Sequence, residues 1–335
     1  MRVAYLLMIA LISAVSPLPV NSEGPRGLRV VTTFPGLTYD VGNLVCGSDV
    51  VESLLPPGVD PHEYSLTPGD IEKLESADLI VSTGHTGFEI KIEELWRAGV
   101  LKGVLVNILE IPGLTVVVNP STGQPNYHMP TYYPLNYLLF VRNISQTLAA
   151  LNPTEASCYM EKARNIAEKV ADLFTTAPRL RGVAVGDLPY TVYVAKWLGL
   201  DLIGLLVKEE GLPTTPEEVS IFRSLMANGS VSYVLVTSYG SDNPTASHQL
   251  EDWARLYGVK IIELYSETYP NSMLDKYNFI LEQMSNTSSS NPPSPTSTTI
   301  SPSTALPWMG IVLVGVAAAI IVVLTVYQVV AKKWR

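Results

Sequence analysis

The chain has 335 residues, 47% hydrophobic and 16% charged, which is enough for two domains with substantial cores. It carries 22 Lys and Arg against 31 Asp and Glu, a net charge of -9. That balance argues against a nucleic-acid partner, whose phosphates call for a basic surface, and suits a body that attracts cations. Two cysteines, Cys46 and Cys158, are too few for a disulfide scaffold and fit neither a CxxC redox pair nor a thiolate zinc site; they could pair, and the sequence leaves that open.

In chain order, Met1-Arg2 precedes an apolar run over 3–15 and a Ser/Pro-containing stretch to Ser22, so residues 1–22 read as a signal peptide. No cysteine lies near its end to carry a lipid. From residue 28 to 281 short β-branched runs alternate with longer amphipathic ones, the pattern of βαβ units and mostly parallel sheets. The strands are expected at 29–32, 50–53, 78–82, 103–106, 115–118, 182–185, 201–207, 232–237 and 260–264. A stretch at 152–178, opened by Asn152-Pro153-Thr154-Glu155 and free of Gly and Pro up to Thr175, reads as one long helix with Ile166, Val170 and Leu173 on a buried face. It divides an N-terminal α/β lobe (23–151) from a C-terminal α/β lobe (179–284), with a ligand cleft expected where the strands end between them.

Residues 285–307, rich in Ser, Thr and Pro, cannot bury a core and read as an extended stalk. Residues 308–330 carry no charge and would span roughly 34 Å as a helix, the length of a membrane crossing. Lys332, Lys333 and Arg335 in the tail 331–335 then place the C-terminus in the cytoplasm and the body outside. Asn143, Asn228 and Asn286 open N-glycosylation sequons on that outer side. Anchor, sequons and stalk together suggest an archaeal cell surface.

The informative stretch is 54–84. Pro56-Pro57-Gly58-Val59-Asp60-Pro61-His62-Glu63-Tyr64 follows a strand directly, and its prolines stiffen the loop that carries His62. Thr67-Pro68-Gly69-Asp70 then supplies an N-cap, a proline at the first helical position and an acid three residues past the cap. A histidine held between a strand and a capped helix has the preorganisation that metal ligation requires.

Those residues, with Ala77-Asp78-Leu79-Ile80-Val81, the opening Val31-Thr32-Thr33-Phe34-Pro35 and the closing Met273-Leu274-Asp275-Lys276-Tyr277-Asn278, resemble the zinc/manganese solute-binding proteins of ABC importers. The resemblance covers roughly residues 28–284. It implies a TroA-like fold, two α/β lobes with mostly parallel sheets joined by one long bridging helix, to which the C-terminal transmembrane helix is added. It also implies capture of a divalent metal, zinc or manganese foremost, as transported ligand, and delivery to an ABC permease and its ATPase by a monomer that is not an enzyme. A stiff bridging helix implies release by local loop and lobe tilting.

By that resemblance His62 is a metal ligand, and His128 in Asn126-Tyr127-His128-Met129-Pro130 is a second, although the acid that follows in the family is missing. The C-terminal lobe departs further. Gly182-Val183-Ala184-Val185-Gly186-Asp187-Leu188 resembles the stretch around the family's third histidine but has none: its place falls on Gly186 or Leu188, with Asp187 the nearest donor. The acidic ligand that the resemblance implies after the strand 260–264 falls near Tyr265-Ser266, with Glu267 the nearest acid. His85, after the strand ending at Ser82, and His248, in a helical turn after Asn243-Pro244, are further candidates. Two histidines and one or two carboxylates would accept zinc, manganese or ferrous iron. No hydrolase, kinase or dehydrogenase motif is present, and the alternatives are an adhesive surface protein or a receptor for another small solute on this scaffold.

Overall fold

The computed structural model describes residues 26–209, 212–241 and 243–287. Within them, the alternation of β-branched and amphipathic runs produces two four-stranded, all-parallel sheets. In the N-terminal lobe β1 (Arg29–Thr32), β2 (Val50–Ser53), β3 (Leu79–Ser82) and β4 (Val104–Asn107) run in the order β2-β1-β3-β4. All four residues of β3 are buried, as a central strand covered on both faces requires. Helices α1 (Pro35–Gly42), α2 (Pro68–Glu75) and α3 (Gly87–Arg97) make the crossovers.

The run expected as a strand at 115–118 does not join that sheet. Only Val117–Val118 is extended, as β5, and it pairs antiparallel with β6 (Pro125–Asn126) in a small hairpin. The chain then forms α4 (Pro134–Leu151) and, after a single 3₁₀ turn at Pro153–Glu155, the bridging helix α5 (Ala156–Thr176). Tyr159, Ala163, Ile166 and Val170 are the buried face of α5, at helical spacing. Cys46 and Cys158 are joined in a disulfide that ties the loop after α1 to the first turn of α5.

The C-terminal lobe carries β7 (Val183–Gly186), β8 (Asp201–Leu205), β11 (Val231–Tyr239) and β12 (Lys260–Tyr265) in the order β12-β11-β7-β8. The single strand expected over 201–207 breaks after Leu205; the chain continues as β9 (Val207–Glu209), paired antiparallel with β10 (Leu212–Pro213). Helices α6 (Thr191–Leu198), α7 (Pro216–Ala227), α8 (Pro244–Tyr257) and α9 (Met273–Thr287) complete the lobe. One hydrophobic cluster runs from the N-terminal sheet through α4 and α5 into α6 and α9, so the lobes share a core. Cross-lobe hydrogen bonds reinforce it: the Tyr132 hydroxyl donates to Tyr265 O (2.7 Å), Met273 N donates to Asp40 Oδ1 (2.8 Å), and the Tyr277 hydroxyl donates to Thr131 O.

Among the described residues no helix is long and apolar enough to cross a membrane. The signal peptide, the transmembrane run 308–330, the tail and nearly all of the stalk lie outside the described residues. Of the sequons, Asn228 is exposed beside an exposed Ser230, whereas Ser145 of the Asn143 sequon is fully buried within α4.

Candidate metal centre

In parallel βαβ units the loops that leave the carboxyl ends of the strands gather on one edge, and two of the histidines come from there. His62 lies on the loop after β2. Its backbone N–H donates to Asp60 Oδ1 (2.8 Å) in a local turn. Beyond it α2 opens with a full capping box between Thr67 and Asp70. Asp70 Oδ2 accepts from Thr67 N (2.8 Å), Thr67 Oγ1 (2.7 Å) and the Tyr64 hydroxyl (2.8 Å), so the motif's tyrosine pins the histidine loop to the helix start. Burial alone would raise the pKa of Asp70, but these bonds from Thr67 and Tyr64 outweigh it and hold the carboxyl below its ordinary value.

His85 leaves β3 through Gly84, where φ is +78° and a Cβ would stand 2.1 Å from Asn107 Oδ1, so only glycine fits the turn. The His85 side chain is 6% exposed. Its Nδ1 lies 2.8 Å from Thr83 Oγ1, and Thr83 Oγ1 donates its one proton to Glu89 Oε2 (2.5 Å). Thr83 can therefore only accept from His85, which assigns the proton to Nδ1 and leaves the lone pair on Nε2. That Nε2 is buried with no hydrogen-bond partner among the described residues. Burial, opposed by the charge of Glu89 and aided by His62, lowers the His85 pKa to about 4. Glu89 also accepts from Thr33, Ser82 and Thr86. Burial works against its charge, yet His85 and these donors keep its carboxyl below the ordinary range.

His128 follows the hairpin β5–β6 and is 8% exposed. Burial, with His85 and His62 adjacent, holds its pKa well below 6.5. The three rings converge, with centroids 4.8 Å apart for His85 and His128, 5.6 Å for His62 and His128, and 5.8 Å for His62 and His85. One nitrogen from each ring lies within 4.8 Å of the others. A carboxylate of the other lobe approaches one of them: Glu209 Oε2, at the end of β9, stands 3.7 Å from His128 Nε2.

The structure thus brings His62 and His128 together with His85, and leaves the two expected carboxylates out of the cluster. Asp187 is fully buried, and its oxygens accept from Leu188 N (2.7 Å), Thr237 N (2.5 Å), Ser247 Oγ (2.8 Å) and Thr237 Oγ1 (3.2 Å). It braces the end of β7 against β11 and α8. Glu267 is 3% exposed and faces the buried Lys276, whose ammonium donates to Tyr269 O and Asn271 O. His248 is exposed on α8. Nor could a histidine replace Gly186 at the end of β7, because a Cβ there would meet Thr191 Oγ1 at 2.1 Å.

Comparison with known proteins places this architecture. Residues 30–287 match the family described as zinc-uptake complex component A, periplasmic (ZnuA). The chain belongs to the ZnuA family. Relatives of this ZnuA-family chain include the iron-binding protein YfeA of Yersinia pestis, 27% identical over 78% of this chain and 88% of the relative. Another is the manganese ABC transporter substrate-binding lipoprotein PsaA of Streptococcus anginosus, 24% identical over 82% of this chain and 94% of the relative. Among solved structures, the periplasmic zinc binding protein TroA of Treponema pallidum superposes with a TM-score of 0.59 at 20% identity, over 78% of this chain and 97% of that one. The two-lobe TroA-like fold with parallel sheets is therefore shared.

Against that family background this ZnuA-family chain draws three imidazoles from one lobe. Sequence reasoning passed over Glu209, because a strand expected to end at 207 hid the break after Leu205 and the short β9 that ends on Glu209. The run Lys208-Glu209-Glu210-Gly211, acids ahead of a glycine and of Pro213, has the composition that interrupts a strand and was the signal available in the sequence.

Proposed function

We propose that this chain is the substrate-binding component of an ABC importer. It captures one divalent transition metal with His62, His85, His128 and Glu209 and delivers it to the permease and its ATPase, acting by binding and release without catalysis. The observation that carries this reading is a convergence of acceptors. One nitrogen each of His62, His85 and His128 lies within 4.8 Å of the others, His85 Nε2 is buried with no hydrogen-bond partner among the described residues, and Glu209 Oε2 stands 3.7 Å from His128 Nε2; a cation satisfies such a set of acceptors. Imidazole-rich sites with one carboxylate favour zinc over the harder manganese, so zinc ranks first and ferrous iron next. Family membership and the metals named for the relatives, iron and manganese, support capture of a divalent transition metal. The apolar run 308–330 tethers the body to the outer face of the cell membrane, with the stalk as spacer.

The test is calorimetric titration of the metal-free protein with zinc, manganese and ferrous iron, repeated for His62→Ala and His128→Ala. One-to-one binding with zinc tightest, abolished by either change, is expected. A folded protein that takes up none of the three ions would refute the proposal.

A further inference from the structure

We propose that the hairpin β5–β6 aims the metal site from both sides, with Asn126 and Asn119 as positioning residues that use carbonyls of the C-terminal lobe to orient His128 and Glu209. This rests on reading the histidine cluster as the metal site.

Asn126, at the end of β6, is fully buried. Its Oδ1 accepts from the backbone N of His128 (3.1 Å), and its Nδ2 donates to Pro189 O (2.7 Å), just past β7 in the other lobe. Each bond fixes the same orientation of the amide. The oxygen is then also the atom 3.2 Å from His128 Nδ1, so that nitrogen carries the ring proton and Nε2 presents its lone pair towards Glu209. The next residue, Met129, has φ of 40°, the only non-glycine residue with positive φ among those described, so the backbone is turned sharply right after the ligand.

Asn119, one residue beyond β5, is equally buried. Its Oδ1 accepts from Ser121 N (2.9 Å), which turns its Nδ2 to the C-terminal lobe. There it donates to Lys208 O (2.6 Å) and to Glu209 Oε1 (3.2 Å), leaving Oε2 as the oxygen that faces His128. The hairpin is itself fastened to the same lobe: Leu205 N donates to Ser121 Oγ (2.9 Å), and the Tyr193 hydroxyl donates to the Asn126 carbonyl. The donors contributed by the two lobes are therefore set by one ten-residue strap, and a shift of the lobes along it would release the His128 tautomer and the Glu209 carboxylate together.

The experiment reads the tautomer without metal and the affinity with it. In the full-length, metal-free protein at pH 7, nitrogen-15 shifts of the His128 ring should report a single Nδ1–H form. Asn126→Ala should give a mixture of tautomers while the His85 ring is unmoved, and should weaken zinc about 10–100-fold, as loss of an outer hydrogen-bond partner does. Asn126→Asp, which keeps the acceptor, should restore the single tautomer. Asn119→Ala should leave the tautomer alone and weaken zinc by about tenfold. An unchanged His128 tautomer in Asn126→Ala, or zinc affinities equal to wild type in both alanine variants, would overturn the proposal. Should Asn126→Ala not fold, a tautomer mixture in Asn126→Asp would overturn it equally. Wild-type protein that ignores zinc but shows the tautomer change would instead overturn the metal-site reading.

Discussion

Glu89 and Asp187 are buried carboxylates just past central parallel strands, one in each lobe, and they do different work. Glu89, in the first turn of α3, takes the proton of Thr83 and through it sets the tautomer of His85. Its donors keep it ionised in spite of burial. Asp187, directly after β7, accepts from Leu188, Thr237 and Ser247, and no histidine stands behind it. For Asp187 burial prevails over those bonds, and its pKa rises to about 6. A buried carboxylate near the end of a central strand thus orients a histidine of the cluster in one lobe and braces strand ends in the other. At Gly186, one of the two positions where the family resemblance places a histidine in the C-terminal lobe, Thr191 closes the space, and the three imidazoles that meet, His85 among them, all come from the N-terminal lobe.

The contrast breaks most visibly if the N-terminal carboxylate serves no ligand. His85→Ala should lower zinc affinity by more than about 100-fold, above the range for outer-shell partners. Undiminished affinity by calorimetry would place the metal elsewhere. Thr83→Val, which cuts the link between Glu89 and His85 while filling the same volume, should cost about 10–100-fold. An effect no larger than that of a distant surface change would reduce Glu89 to a brace like Asp187.

The pH dependence sharpens the comparison further. The His85 pKa is depressed from 6.5 to about 4, so between those values the unfolded chain binds more protons and the folded state loses stability as pH falls. The slope from this group approaches about 1.4 kcal/mol per pH unit. Asp187, with its pKa raised, acts in the opposite sense between 3.8 and about 6. The difference in unfolding free energy between wild-type and His85→Asn protein isolates the histidine, and a difference constant from pH 7 to pH 4 would contradict the assignment. The smallest effect on metal is expected for Asp187→Asn: zinc affinity unchanged, with stability reduced by about 1–3 kcal/mol as an amide N–H₂ is set against donors. A drop in zinc affinity at undiminished stability would return Asp187 to the ligand set.

Much of this was legible in the primary structure. The strands at 29–32 and 50–53, the capped start of α2 at Thr67 and the position of the bridging helix follow from local rules, namely β-branched runs, a capping box and an uninterrupted amphipathic period. His62 was legible because its loop is built locally from prolines and a capped helix, whereas His85, three residues past a strand, stood only as a further candidate because nothing local aims its ring. The hairpin at 117–126 and the break after Leu205 were not, since strands of two or three residues carry no period of their own and exist only where a second segment pairs with them. The pairing of Cys46 with Cys158 likewise depends on the packing of α5 against the N-terminal lobe, 112 residues apart in sequence.

By itself the sequence determined a pair of α/β lobes, a long helix between them and a rigid loop that holds one histidine ready, because each is dictated by interactions within a few residues. The tertiary structure alone decided which side chains meet. Asp187 and Glu209 are both acids near strand ends of the C-terminal lobe. One is enclosed by four donors of its own lobe, and the other is held by Asn119 from the opposite lobe with an oxygen 3.7 Å from His128. A carboxylate whose oxygens are already taken by backbone and hydroxyl donors has little to offer a cation, and which carboxylate is so enclosed depends on contacts between segments far apart in the chain.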